Sequence, residues 1–173
     1  MNKLFMFINY IIKVGLIIQL NIGALMLLGI IVTITAGIVS RYVFNAPYIW
    51  TEELGIFMFT WLSFMGASVA AARNKHVAVR LLTSKLSLGK AKYVKLLSFS
   101  LTLVFLGFLV LGALYLQPQT AKHSSIVLGI PKNFYYLPVL IAGIYISLVL
   151  IRDSISYLFD FDHPYKEQIV EVP

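Results

Sequence analysis

Four long apolar stretches alternate with short polar ones along this chain: Val14 to Val39, Leu54 to Ala72, Leu96 to Leu116 and Phe134 to Ile151. No Asp, Glu, Lys, Arg or His interrupts any of them. A helix crosses a bilayer with roughly 20 apolar residues at about 1.5 Å rise each. Each stretch is long enough, the fourth by the narrowest margin. Within hydrocarbon no water is available for the backbone amides, so separate segments of this kind must be helical. The pattern predicts an all-α integral membrane protein of four transmembrane helices, forming one membrane domain over residues 1–173.

Small residues recur inside the stretches at helical spacing. Gly29, Thr33 and Gly37 lie four apart, a ridge along which a second helix can approach closely. Ser63, Gly66, Ala67, Ala70 and Ala71 predict a similar packing face on the second helix. Gly107 and Gly112 are candidate contacts on the third helix, and Gly143 and Ser147 on the fourth. Pro138, early in the fourth, reads as a start signal and not a break, because a proline there removes few backbone bonds.

The first connection holds Arg41, Tyr42, Val43, Phe44, Asn45, Ala46, Pro47, Tyr48, Ile49 and Trp50. Asn45 and Pro47 are turn residues, and the aromatics suit a membrane interface. Thr51 is placed to cap the second helix, with Glu52 and Glu53 in its first turn, where the helix dipole favours anions. Arg41 closes the first helix, so a short connection brings it within reach of the acids. We take Glu53 as its partner, locking the first two helices and shaping a surface for other subunits. Residues 77–90 have an amphipathic pattern. Val77, Val79, Leu81, Leu82, Leu86 and Leu88 share one arc, while Lys85 falls among them and is expected to snorkel. With Lys75, Arg80, Lys90 and Lys92 this segment is expected to lie on the membrane surface and bind lipid. Residues 1–13 are either an interfacial lead-in or an extension of the first helix.

Charge fixes the orientation. Eleven lysines and arginines fall on the side shared by the N-terminus, the connection 73–95 and the C-terminal tail, against Arg41, Lys122 and Lys132 on the other. The positive-inside rule therefore predicts cytoplasmic N- and C-termini. The first stretch is about twice the length of a signal-peptide core and lacks an A-x-A site, so it is expected to be retained.

Several kinds of chemistry are excluded. Only 12% of residues are charged, against about 25% in soluble domains. There is no cysteine, which removes disulfides and thiolate chemistry. His76, His123 and His163 all fall outside the spans, so neither haem ligation between helices nor a zinc site is expected. No nucleotide-binding glycine motif occurs, and neither a cofactor nor a nucleic acid is expected. Ionisable groups and mid-membrane breaks usually mark transport pathways, and the spans lack both. Gln19 and Asn21 are their strongest polar residues. On the residues alone, the chain is a helical subunit without chemistry of its own. A small independent channel or exporter and the membrane anchor of an enzyme complex remain as alternatives.

One run of motifs goes further. Arg41-Tyr42-Val43-Phe44-Asn45, Trp50-Thr51-Glu52-Glu53-Leu54, Trp61, Gly66-Ala67-Ser68 and Arg73-Asn74-Lys75-His76-Val77 resemble, in register, the small membrane subunit of TRAP transporters, the DctQ-like family. The resemblance is strongest over positions 41 to 80. It implies a bacterial inner-membrane location and two partners. A large membrane subunit would hold the substrate and sodium sites, and a soluble periplasmic protein would deliver an organic acid such as sialic acid or a C4-dicarboxylate. The small subunit would then be a non-catalytic scaffold. The motifs are compatible with the sialic acid branch. The resemblance makes Arg41, Asn45, Trp50, Glu52, Glu53, Trp61, Gly66, Arg73 and His76 candidate interface residues.

Overall fold

The computed structural model describes residues 2–73 and 88–158, and each apolar stretch is one helix within it: α1 (Asn2–Tyr42), α2 (Trp50–Ala72), α3 (Leu88–Thr120) and α4 (Asn133–Leu158). All four are long and apolar enough to cross a membrane. At 41 residues α1 is about 60 Å long, twice the hydrocarbon thickness of about 30 Å. Residues from Asn2 onward thus extend the first helix rather than forming a separate lead-in. Helix α3 runs on through Pro118 to Thr120, past the apolar stretch that ends at Leu116. A proline this close to a helix end costs one backbone bond, and the Thr120 hydroxyl donates to the Leu116 carbonyl (2.8 Å) in that turn.

The amphipathic reading over 77–90 falls mostly outside the described residues, together with Lys75, His76, Arg80 and Lys85. Lys90 and Lys92 lie on the first turns of α3.

Both short connections, α1–α2 and α3–α4, lie at one end of the molecule, here the short-loop end. The opposite, terminal end holds a core of Ile12, Leu16, Ala72, Tyr145 and Val149. Helices α1 and α2 pack as an antiparallel pair, α4 lies against both, and among the described residues α3 packs on α4 alone. The arrangement is therefore an open one, with α3 as an outer helix.

Glycines set the closest approaches. A Cβ on Gly37 would lie 2.7 Å from the Thr51 hydroxyl, and one on Gly29 2.8 Å from the Met58 sulfur; Thr33 between them is buried. A Cβ on Gly143 would meet Val110 at 2.6 Å, which lets α3 lie close to α4. Gly15 faces the Tyr145 ring, whose hydroxyl donates to the buried Ile12 carbonyl (2.8 Å) and ties α4 to α1. Between α3 and α4 runs an apolar groove of about 370 Å³ with Gly107 and Ser147 among its lining residues.

Two expectations about packing change. The face of α2 turned inward holds Thr51, Gly55, Met65, Ser68, Ala71 and Ala72, whereas Ser63, Gly66, Ala67 and Ala70 are not buried. Of the predicted small-residue face only Ala71 is covered among the described residues. Gly107 and Gly112 likewise meet no atom within 4 Å of a Cβ position. Spacing locates a smooth face without saying which helix, if any, will cover it. At the terminal end Arg152 is buried, and its guanidinium makes two bonds to Asp153 (2.8 and 2.6 Å).

Candidate functional site

Among the described residues no group of His, Cys, Asp or Glu could hold a metal ion. The organised polar chemistry is at the short-loop end, where two connections and the first turn of α2 meet.

The α1–α2 connection is built around Ser40, which is 1% exposed. Its hydroxyl donates to the Gly37 carbonyl (2.8 Å) and accepts the Tyr48 N–H (3.2 Å), while its carbonyl accepts the Ala46 N–H (3.1 Å). Asn45 supplies the left-handed turn at φ 48°, a conformation its short polar side chain tolerates. Thr51 does not cap α2. It lies inside the first turn, buried, with its hydroxyl donating to the Tyr48 carbonyl (2.6 Å), and Ile49 holds the cap position. Tyr48 and Trp50 stack with centroids 6.2 Å apart.

The paired acids have separate tasks. Successive residues on a helix point about 100° apart, so the two carboxylates diverge. Arg41 pairs with Glu52 (2.6 Å), not with Glu53 as the sequence reading had it, and both side chains are more than half exposed. Below this pair, Ile34, Gly37, Ile38, Tyr42 and Thr51 line a crevice of about 240 Å³.

Glu53 turns toward the α3–α4 loop. Its two oxygens accept the N–H groups of Ile126 (3.1 Å), Val127 (3.0 Å) and Leu128 (2.8 Å). Three consecutive amides on one carboxylate form a charge-assisted cluster, a stronger kind of bond than a neutral one. The loop closes on itself as well. Ser125 donates its N–H to the Ile130 carbonyl (2.8 Å), the Ile130 N–H returns to the Ser125 hydroxyl (3.0 Å), and the Lys132 N–H reaches the His123 carbonyl (2.8 Å). Gly129 turns the chain at φ 66°, where a side chain would be strained. One turn below Glu53, Phe57 contacts both Trp61 (6.1 Å) and, edge-on, Tyr135 of α4 (5.1 Å). The Trp61 indole N–H is buried without a partner among the described residues.

The structure thus gathers Arg41, Asn45, Trp50, Glu52 and Glu53 at one end, with Trp61 two turns in from Glu53. Gly66 sits open on the outer face of α2, and Arg73 is exposed at the terminal end. Sequence reasoning missed Ser40, Ser125 and Tyr145. A hydroxyl in the last turn of a helix before an Asn-x-Pro turn would have signalled the first; nothing local marks the other two.

The sequence matches a family model described as the DctQ component of tripartite ATP-independent periplasmic transporters over residues 30–159. A Haemophilus influenzae protein named as a TRAP transporter small permease is 31% identical over 92% of this chain and 94% of its own length. The sialic acid TRAP transporter small permease protein of Vibrio cholerae is 32% identical over 64% of this chain and 65% of its own. The sialic acid TRAP transporter permease protein SiaT of H. influenzae is 33% identical over 50% of this chain, a segment that makes up 15% of that longer protein.

Proposed function

Because this multi-pass membrane chain belongs to the DctQ component family of tripartite ATP-independent periplasmic transporters, and is the small permease subunit and not an enzyme, we propose that it scaffolds a sodium-coupled importer of an organic acid. The observation that carries this reading is the emptiness of its spans: no Asp, Glu, Lys, Arg or His lies in any of the four apolar stretches. Substrate and sodium sites therefore belong to a large membrane subunit, with a soluble periplasmic protein delivering the substrate. The longer permease relative supports a direct association, since there the matching segment is continuous with the rest of one polypeptide. Large apolar side chains crowd the outer surface of α3, among them Leu101, Phe105, Phe108 and Tyr115. That surface suits lipid and a large helical partner. Sialic acid is put ahead of C4-dicarboxylates because the relatives named for it match more of the chain.

The test is uptake by proteoliposomes under an inward sodium gradient. Vesicles holding this chain, the large subunit and the periplasmic protein should accumulate labelled sialic acid, and vesicles holding this chain alone should accumulate nothing. Sodium-driven uptake by the lone chain would overturn the scaffold reading.

Orientation has its own test. The cation bias supports cytoplasmic termini, with the short-loop end then facing the periplasm of a bacterial inner membrane. The cysteine-free chain accepts single reporters. In intact cells an impermeant maleimide should label cysteine at Ala46 or Ser124 and spare Ser84 and Ser156. The opposite labelling would invert the topology.

A further inference from the structure

The loop pinned by Glu53 presents apolar side chains outward: Ile126 is 96% exposed and Val127 45%. A loop tip standing free in water gains only modestly from having its amides capped, because water competes for the same donors. A tip entering a lipid leaflet has no such water. Lipid-exposed irregular backbone is excluded from the hydrocarbon core. Such a tip therefore sits at the headgroup boundary with only its side chains reaching inward, where the protein itself serves the N–H groups that water leaves. Glu53 does so for the amides of Ile126, Val127 and Leu128, the segment that carries the exposed aliphatic side chains.

Depth and charge agree with this. Glu53 belongs to the first turn of a membrane-spanning helix, so its bonds hold the tip level with the beginning of α2. The stacked Tyr48 and Trp50 lie at the same level, as interfacial aromatics do. Lys122 and Lys132, both exposed, flank the loop and are suited to lipid phosphates. We propose that residues 125–130 form a lipid anchor: a pre-shaped apolar tip, its amides closed by Glu53, that inserts Ile126 and Val127 into the phospholipid leaflet at the short-loop end. The occupant is the leaflet itself, and the inference rests on the membrane-spanning fold, independently of the substrate transported.

The test uses the full chain, with any membrane partner it retains, in nanodiscs of phosphatidylethanolamine and phosphatidylglycerol. Nitroxide labels on single cysteines at Ile126, Val127 and Lys122 are compared for relaxation by oxygen, which partitions into lipid, and by a water-soluble nickel chelate. The anchor requires oxygen to dominate at 126 and 127 and nickel at 122, with the oxygen-to-nickel ratio severalfold higher at 126 than at 122. Nickel access at both tip positions would place the loop in water. An immobile label shielded from both reagents would place it against a protein. Either result overturns the proposal. A control at the exposed Leu101 of α3 reports whether the chain is inserted at all.

Discussion

Replacing Glu53 with alanine should free the α3–α4 loop while leaving the four helices in place, and it should abolish most uptake by the assembled transporter. The carboxylate serves three backbone donors at once, at 2.8 to 3.1 Å, so truncation releases all three. Water can take over the two exposed donors, so the loss falls chiefly on the half-buried Leu128 N–H and on the order of the loop. Hydrogen exchange at Ile126, Val127 and Leu128 is the direct readout: these amides should lose nearly all protection while those of α2 keep theirs. Glu53→Gln keeps one acceptor oxygen without charge and should fall between. Glu52→Ala, one residue away, removes only an exposed pair worth about 0–1 kcal/mol, and should leave melting temperature and loop protection close to native. Equal effects at the two positions would contradict this division of labour.

The second large effect is expected at Gly15. A methyl group there would lie 2.6 Å from one Tyr145 ring carbon and 3.2 Å from the next. The ring cannot simply swing aside, because its hydroxyl is bonded to the Ile12 carbonyl and its neighbours form the terminal-end core. Forcing a methyl into a packed contact costs about 1–3 kcal/mol. Gly15→Ala should therefore lower the melting temperature of the detergent-solubilised chain by several degrees. Gly66→Ala makes a matched control: nothing lies within 4 Å of its Cβ position, and helix propensity alone favours alanine by up to about 1 kcal/mol. It should melt at or above the native temperature. If Gly66→Ala nevertheless weakens co-purification with the large subunit, the open face of α2 is an intersubunit surface.

How much of this was legible depends on the range of each interaction. Periodicity within one helix shows in sequence, so the four spans and the Gly29, Thr33 and Gly37 ridge can be read directly. The Asn45 turn is legible for the same reason, being encoded by adjacent residues. Glu53 is different. Its partners lie 73 to 75 residues away and are backbone amides, which no residue identity reveals. Proximity in sequence favoured an ion pair with Arg41, and helical divergence gave that pair to Glu52 instead. Tyr145 hides similarly, as one aromatic in an apolar stretch whose hydroxyl finds a carbonyl 133 positions earlier. The small residues of α2 mark a smooth surface, but sequence alone does not show that most of it stays uncovered by the other described helices.

Among the described residues α3 packs on α4 alone, a partner synthesised after it. During biogenesis α1 and α2 can pair as soon as both have entered the bilayer. Helix α3 receives no contact from the described residues of α1 or α2 and enters lipid before α4 is made. A lysine introduced at Phe108, 72% exposed and central in the apolar stretch of α3, therefore burdens translocon-mediated insertion before any tertiary contact can compensate. Defects there would surface as misrouted or degraded nascent chains, not as a loosened native fold.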